Sequence, residues 1–206
     1  MLEAREIACA RGERRLFSNI SFQLARGESL AIHGANGSGK SSLLRILCTL
    51  LPAVSGEVRW QGENVYKLGE DYRRVFAYIG HLNGLKEELS AWENLRAAVR
   101  LTNGGASAVE LTEALSRMEL QRVRDLPVRF LSQGQKRRVA LSRLALNLQP
   151  PLWILDEPLA ALDSRAGAIV TALMRSHLDS GGIIIAATHT ELAPTRRITL
   201  SDASEH

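Results

Sequence analysis

Residues 34–41 read Gly-Ala-Asn-Gly-Ser-Gly-Lys-Ser, and they follow the short apolar run Ser29-Leu30-Ala31-Ile32-His33. Glycine tolerates backbone angles that other residues avoid, so this stretch can wrap with its N–H groups pointing inward. The residues from Lys40 to Leu51 are rich in apolar side chains and stop before Pro52, which predicts a helix. Strand, glycine loop and helix in that order build a concave anion site, with the positive end of the helix dipole at its base. The pattern GxxxxGK[ST] fits Gly34 to Ser41 and predicts a bound nucleoside triphosphate. Gly34, Ala35, Asn36, Gly37, Ser38 and Gly39 would cradle the phosphates. Lys40 would reach the β- and γ-phosphates, Ser41 would offer its hydroxyl to Mg²⁺, and Ser42 completes the set.

A second apolar run, Leu152-Trp153-Ile154-Leu155, ends in Asp156-Glu157. A buried strand delivers its last residues to the carboxyl edge of a sheet, where ligands collect. Asp156 is then placed to hold Mg²⁺. Glu157, one residue on, is placed to orient or deprotonate the attacking water.

The rest of the chain repeats strand and helix. Val75 to Gly80 reads as a strand, and so does Gly182 to Ala187, with a helix near residues 164–179 before it. Alternation of this kind argues for a parallel sheet with helices on both faces. Residues 2–8, 20–25 and 56–60 read as a small antiparallel sheet. From Trp92 to about Leu148 the pattern is helical, broken near Asn103-Gly104-Gly105 and Pro127, and it reads as an insertion into the core. The expected fold is a single α/β domain over residues 1–206, with a P-loop NTPase (RecA-like) core at 29–55, 76–81 and 149–206. An antiparallel β subdomain at 1–28 and 56–75 and a helical insertion at 82–148 complete it.

Composition narrows the class. At 45% hydrophobic and 23% charged, the 206 residues match a globular protein. The longest unbroken apolar run, Ile183 to Ala187, is far short of the roughly 20 residues that span a bilayer. The first residues carry charges where a signal peptide needs an apolar core, so export is not expected. Cys9 and Cys48 lack metal-ligand spacing and read as buried or half-buried thiols in a reducing compartment. The net charge of +4 is scattered, so no nucleic-acid partner is expected.

The most selective stretch is Leu131-Ser132-Gln133-Gly134-Gln135. Ser132 supplies a hydroxyl, Gly134 allows close backbone approach, and a helix beginning near Gln135 aims its N-terminus at an anion. Lys136-Arg137-Arg138 reads as a solvated helix face, with Val139, Leu141, Leu144, Ala145 and Leu148 on the buried side. GANGSGKS, LSQGQ, LWILDE, AALD (160–163) and Thr188-His189 follow one another along the chain. In this order they resemble the ATP-binding cassette (ABC) nucleotide-binding domains, over essentially the whole chain. The resemblance implies a head-to-tail dimer sandwiching two ATP molecules. In it Ser132, Gly134 and Gln135 cover the γ-phosphate held by a second copy. Asp163 would lie in the loop crossing the interface, and His189 would contact the γ-phosphate and help hold the attacking water.

Two positions depart from the family pattern. Where most members carry a switch-loop glutamine, thirteen residues before Asn94, this chain has His81. Imidazole is a poor Mg²⁺ ligand, so His81 would act through water or sense the γ-phosphate. Where many members stack an aromatic ring on adenine, 23 residues before Gly34, this chain has Arg11. A guanidinium plane can also stack on a base, with weaker base selectivity expected.

Tyr78-Ile79-Gly80-His81-Leu82-Asn83-Gly84-Leu85-Lys86 and PLWILDEPLAALD resemble the cytochrome c maturation branch of the family, described as haem exporters. That resemblance implies an ATPase peripheral to the cytoplasmic face of a bacterial inner membrane, working with membrane subunits of the CcmB, CcmC and CcmD type. Coupling would run through residues near 82–95, with Leu85, Leu89 and Trp92 as candidate contacts; packing within the insertion explains the same side chains. The alternative is an ATPase subunit for another transported substrate.

Overall fold

The computed structural model describes residues 1–101, 105–146, 150–188 and 196–200. Strand β1 (Leu2–Arg11) turns through Gly12-Glu13 into β2 (Arg14–Leu24), and β3 (Ser29–Gly34) leads into helix α1 (Lys40–Leu47). Then come β4 (Ser55–Trp60), β5 (Glu63–Asn64), the short helices α2 (Val65–Leu68) and α3 (Glu70–Arg74), and β6 (Phe76–Ile79). Helices α4 (Ala91–Leu101), α5 (Ala108–Arg117) and α6 (Gln133–Leu141) follow in succession. The chain continues through β7 (Leu152–Asp156), α7 (Ser164–Asp179), β8 (Ile183–Ala187) and β9 (Arg196–Leu200).

The strands form two sheets. One is antiparallel, in the order β2-β1-β4-β5. The other is wholly parallel, in the order β6-β7-β8-β3-β9. Alternate side chains of a strand point to opposite faces, and the parallel sheet buries both. Ile154, Ile183 and Ile185 join Leu43, Leu44 and Leu47 of α1 and residues of the antiparallel sheet in one core. Trp153, Leu155 and Ile184 point the other way, into a second core with Leu95, Leu115, Leu141 and Val170 of the surrounding helices. The continuous apolar character of β7 and β8 follows from this double burial.

Four differences from expectation have local causes. Helix α1 ends at Leu47 rather than Leu51, because Thr49 is left-handed (φ 57°) and the Leu50 and Leu51 N–H groups both return to the Arg45 carbonyl. Strands β1 and β2 run to Arg11 and from Arg14, since the left-handed Gly12 closes a two-residue hairpin turn. Helix α6 starts at Gln133, two residues before the expected Gln135, with Ser132 as its N-cap. The edge strand β9 was not expected; its Arg196 and Arg197 lack an alternating apolar pattern. Val139, Leu141, Leu144 and Ala145 are buried as expected. Leu148 lies outside the described residues.

Both cysteines are buried and unpaired with each other. Burial raises both thiols above their ordinary value, so they stay protonated and inert at neutral pH. Among the described residues, no helix is long and apolar enough to cross a membrane.

Candidate active site

In a parallel sheet every strand ends on the same edge, which gathers residues far apart in sequence. Here β3 delivers the glycine loop, β6 delivers Gly80-His81, and β7 delivers Asp156-Glu157. A cavity of about 490 Å³ opens at this edge. Asn36, Gly37, Gly39, Lys40, Ser41 and Ser42 line it from the loop, with Asp156, Glu157 and His81 opposite. Arg11 closes it from the tip of the β1–β2 hairpin. Its size suits a nucleotide.

The loop is built by close packing. Gly39 is left-handed (φ 100°), and a β-carbon there would meet the Phe17 ring at 2.8 Å. That contact seats the loop on β2 and starts α1 at Lys40. The Lys40 ammonium donates to the Gly34 and Ala35 carbonyls at 2.7 and 3.1 Å, which holds the charge above the loop. Gly34, Ala35 and Ser38, expected in the phosphate cradle, do not line the cavity; Gly34 packs against Ser38, leaving no room for a β-carbon. The Ser38 N–H donates to the Ala35 carbonyl at 3.2 Å, and its side chain is buried.

Asp156 is buried at the end of β7, whereas Glu157 is half-exposed and left-handed (φ 49°). The Glu157 N–H donates to the Ala187 carbonyl at 2.8 Å, so the turn is tied to β8. Such a backbone costs about 1–2 kcal/mol in a residue with a β-carbon and persists where neighbours enforce it. Thr188, at the end of β8, is buried, and its N–H donates to the Ile32 carbonyl at 3.2 Å. His189 lies outside the described residues.

The signature residues sit elsewhere. None of Ser132, Gly134, Gln135 and Asp163 lines the cavity of Lys40. Ser132 is exposed and closes a capping box: its hydroxyl accepts from the Gln135 N–H at 3.2 Å, and the Gln135 amide oxygen accepts from the Ser132 N–H at 2.8 Å. Asp163 caps α7 by accepting from the Ala166 N–H at 2.8 Å. The signature residues therefore lie on a part of the chain separate from the cavity of Lys40.

The solvated reading of Lys136-Arg137-Arg138 is wrong for Arg137, which is 4% exposed. Its guanidinium donates to the Gly80 and Asp156 carbonyls at 2.9 and 2.7 Å. Burial pulls it below its ordinary value, and the charges of Asp156 and Glu157 oppose that pull. Helical spacing held the signal, since Arg137 lies three and four residues before the buried Ala140 and Leu141. Lys136 and Arg138 are also largely covered; Lys136 pairs with Glu87 at 3.1 Å. Leu16 and Ala160 line the cavity as well and were not foreseen. Leu85 and Trp92 are half-buried against the helical core, and Arg96 lies over the Trp92 ring at 5.3 Å, which supports packing as their role.

The sequence pattern of the ABC transporter family matches residues 17–160, well over half of the chain. The chain belongs to the ABC transporter family. Its relatives include the cytochrome c biogenesis ATP-binding export protein CcmA of Dechloromonas aromatica, 47% identical over 93% of this chain and 94% of the relative. The protein of the same description from Nitrosomonas europaea is 48% identical over 93% and 90%. Among solved structures, the dimeric ATP-binding cassette MJ0796 superposes with a TM-score of 0.87 at 28% identity, covering 98% of this chain and 95% of that one. A dimeric post-hydrolysis state of MJ0796 bound to ADP and Pi gives 0.85 at 28% identity, covering 98% and 95%. The ABC nucleotide-binding fold expected from the sequence is the one observed.

Proposed function

We propose that this chain is the ATP-hydrolysing subunit of an ABC transporter complex in cytochrome c biogenesis, serving haem export or release of a haem chaperone. The observation that carries the ATPase chemistry is the single cavity shared by Lys40, Ser41, His81, Asp156 and Glu157. The relatives' description as cytochrome c biogenesis export proteins supports the pathway.

Gly34 to Ser42 bind the triphosphate, and Lys40 turns from its loop carbonyls to the β- and γ-phosphates. The Ser41 hydroxyl and Asp156 carboxylate are hard oxygen donors, the set that suits Mg²⁺ shared with substrate phosphates. When bound, the ion neutralises charge on the phosphates. Glu157 takes the proton of the attacking water as its oxygen bonds to the γ-phosphorus and the bond to ADP breaks. His81 faces the same space and senses the γ-phosphate, while His189 would help hold the water. Arg11 stacks on the base. Ser132, Gly134, Gln135 and Asp163 serve the ATP of a second copy packed head to tail. Their separation from the Lys40 cavity and the dimeric state of MJ0796 support this arrangement.

Residues 82–148 act as the inserted helical unit and 1–28 with 56–75 as the β subdomain. The chain sits at the cytoplasmic face of a bacterial inner membrane, against subunits of the CcmB, CcmC and CcmD type. Lys40→Ala in cells that depend on this chain tests the proposal. Loss of cytochrome c maturation, with the membrane partners still co-purifying, is expected. Normal maturation would contradict it.

A further inference from the structure

Arg137 joins three segments just beyond Ile79 and Leu155, the last paired residues of β6 and β7. Its Nη1 donates to the Gly80 carbonyl at 2.9 Å and to the Asn83 side-chain oxygen at 3.1 Å. Its Nη2 donates to the Asp156 and Glu157 carbonyls at 2.7 and 2.8 Å. His81 lies between the two acceptors of Nη1, and Glu157 carries one of the acceptors of Nη2. The Arg137 backbone belongs to α6, which Ser132 caps. One buried side chain thus connects the signature helix, the turn after β6 and the turn after β7.

We propose that Arg137 is a positioning residue for ATP hydrolysis, holding the turn that carries His81 against the turn that carries Glu157. Glu157 is left-handed, a backbone state that must be enforced from outside. Its N–H donates to Ala187, and its carbonyl accepts from Arg137 at 2.8 Å and from the Ala160 N–H at 3.1 Å, so Arg137 is the one side-chain anchor named among the contacts that set the turn. A planar fork meets two pairs of acceptors on opposite turns at once. A lysine ammonium is a single point and cannot span both. The link to α6 also gives movement of the signature helix a direct mechanical route to Glu157.

This inference rests on the ATPase reading of the cavity. The test uses the full chain and compares Arg137→Lys, Arg137→Met, Asn83→Ala and the double variant Arg137→Lys/Asn83→Ala. Both Arg137 variants should lower kcat about tenfold or more, with the dissociation constant for ATP changed by less than about threefold. Asn83→Ala should lower kcat about threefold, and adding it to Arg137→Lys should cost nothing further, because both act through one contact. A folded Arg137→Lys with wild-type kcat would overturn the proposal, and so would losses that multiply in the double variant. If both Arg137 variants fail to fold, Asn83→Ala decides: a fall in kcat at constant ATP affinity supports the proposal, and an unchanged kcat overturns it. Glu157→Gln in the same series keeps the two readings apart. Hydrolysis surviving in Glu157→Gln counts against Glu157 as base, whatever Arg137→Lys does.

Discussion

A β-carbon on Gly134 would lie 2.9 Å from the main-chain oxygen of Ala161. That is closer than real side chains approach a backbone, so LSQGQ and the loop from Glu157 to Asp163 are packed as one piece. Ala161 is itself left-handed (φ 61°), which turns its carbonyl toward the signature. The close approach expected of Gly134 is thus made, within this chain, to its own loop.

Gly134→Ala should therefore displace that loop and slow hydrolysis about tenfold or more, without weakening ATP binding by the monomer. Gly134 does not line the cavity of Lys40, which is why affinity should hold. Steady-state hydrolysis and nucleotide titration on the same preparation check both halves. Unaltered hydrolysis would show that the loop absorbs a methyl freely.

Arg11 stands at a hairpin tip and lines the cavity, the position from which the proposed function has it stack on the base. Base stacking is worth about 1–3 kcal/mol, so Arg11→Ala should weaken ATP and GTP to a similar degree, roughly tenfold. Competitive titration with the two nucleotides measures this. A strong ATP preference that survives Arg11→Ala would place base recognition elsewhere.

His177 supplies a pH dependence of stability. Its ring stacks on Trp153 with centroids 3.9 Å apart and planes 8° from parallel. Burial holds it below its ordinary value of 6.5, with hydrogen bonding at Pro151 and Ile183 opposing. The folded state keeps the ring neutral where the unfolded chain takes up a proton. The stability contribution is present above about pH 6.5 and is lost as pH falls from there through the folded value. Melting temperatures should fall from about pH 7.5 to about pH 5.5 more steeply in the wild type than in His177→Gln. Parallel slopes would remove His177 as the cause.

Much of this was legible in the sequence because the signals are local. Helix α7 was readable from its apolar spacing, and the loop at Gly34 to Ser41 from glycines that only a wrapped backbone needs. The basic triplet at 136–138 suggests water, yet helical spacing puts Arg137 on the buried face. No local pattern announced β9, whose residues pair with β3 residues 166 positions earlier in the chain, as Arg196 does with Leu30. Leu16 was equally hidden, since its place in the cavity depends on how β2 lies against the glycine loop.

The central claim is that Ser132 completes the site of a second copy rather than that of its own Lys40. Lys40→Ala and Ser132→Arg should each be inactive alone, and Ser132→Arg should still bind ATP as a monomer. Mixing the two variants tests the claim most directly. In a head-to-tail dimer of one of each, both lesions fall in one site and the other site is intact. Random pairing at equal concentrations should then restore about a quarter of the wild-type single-turnover hydrolysis. A mixture as inactive as either variant alone would contradict the account.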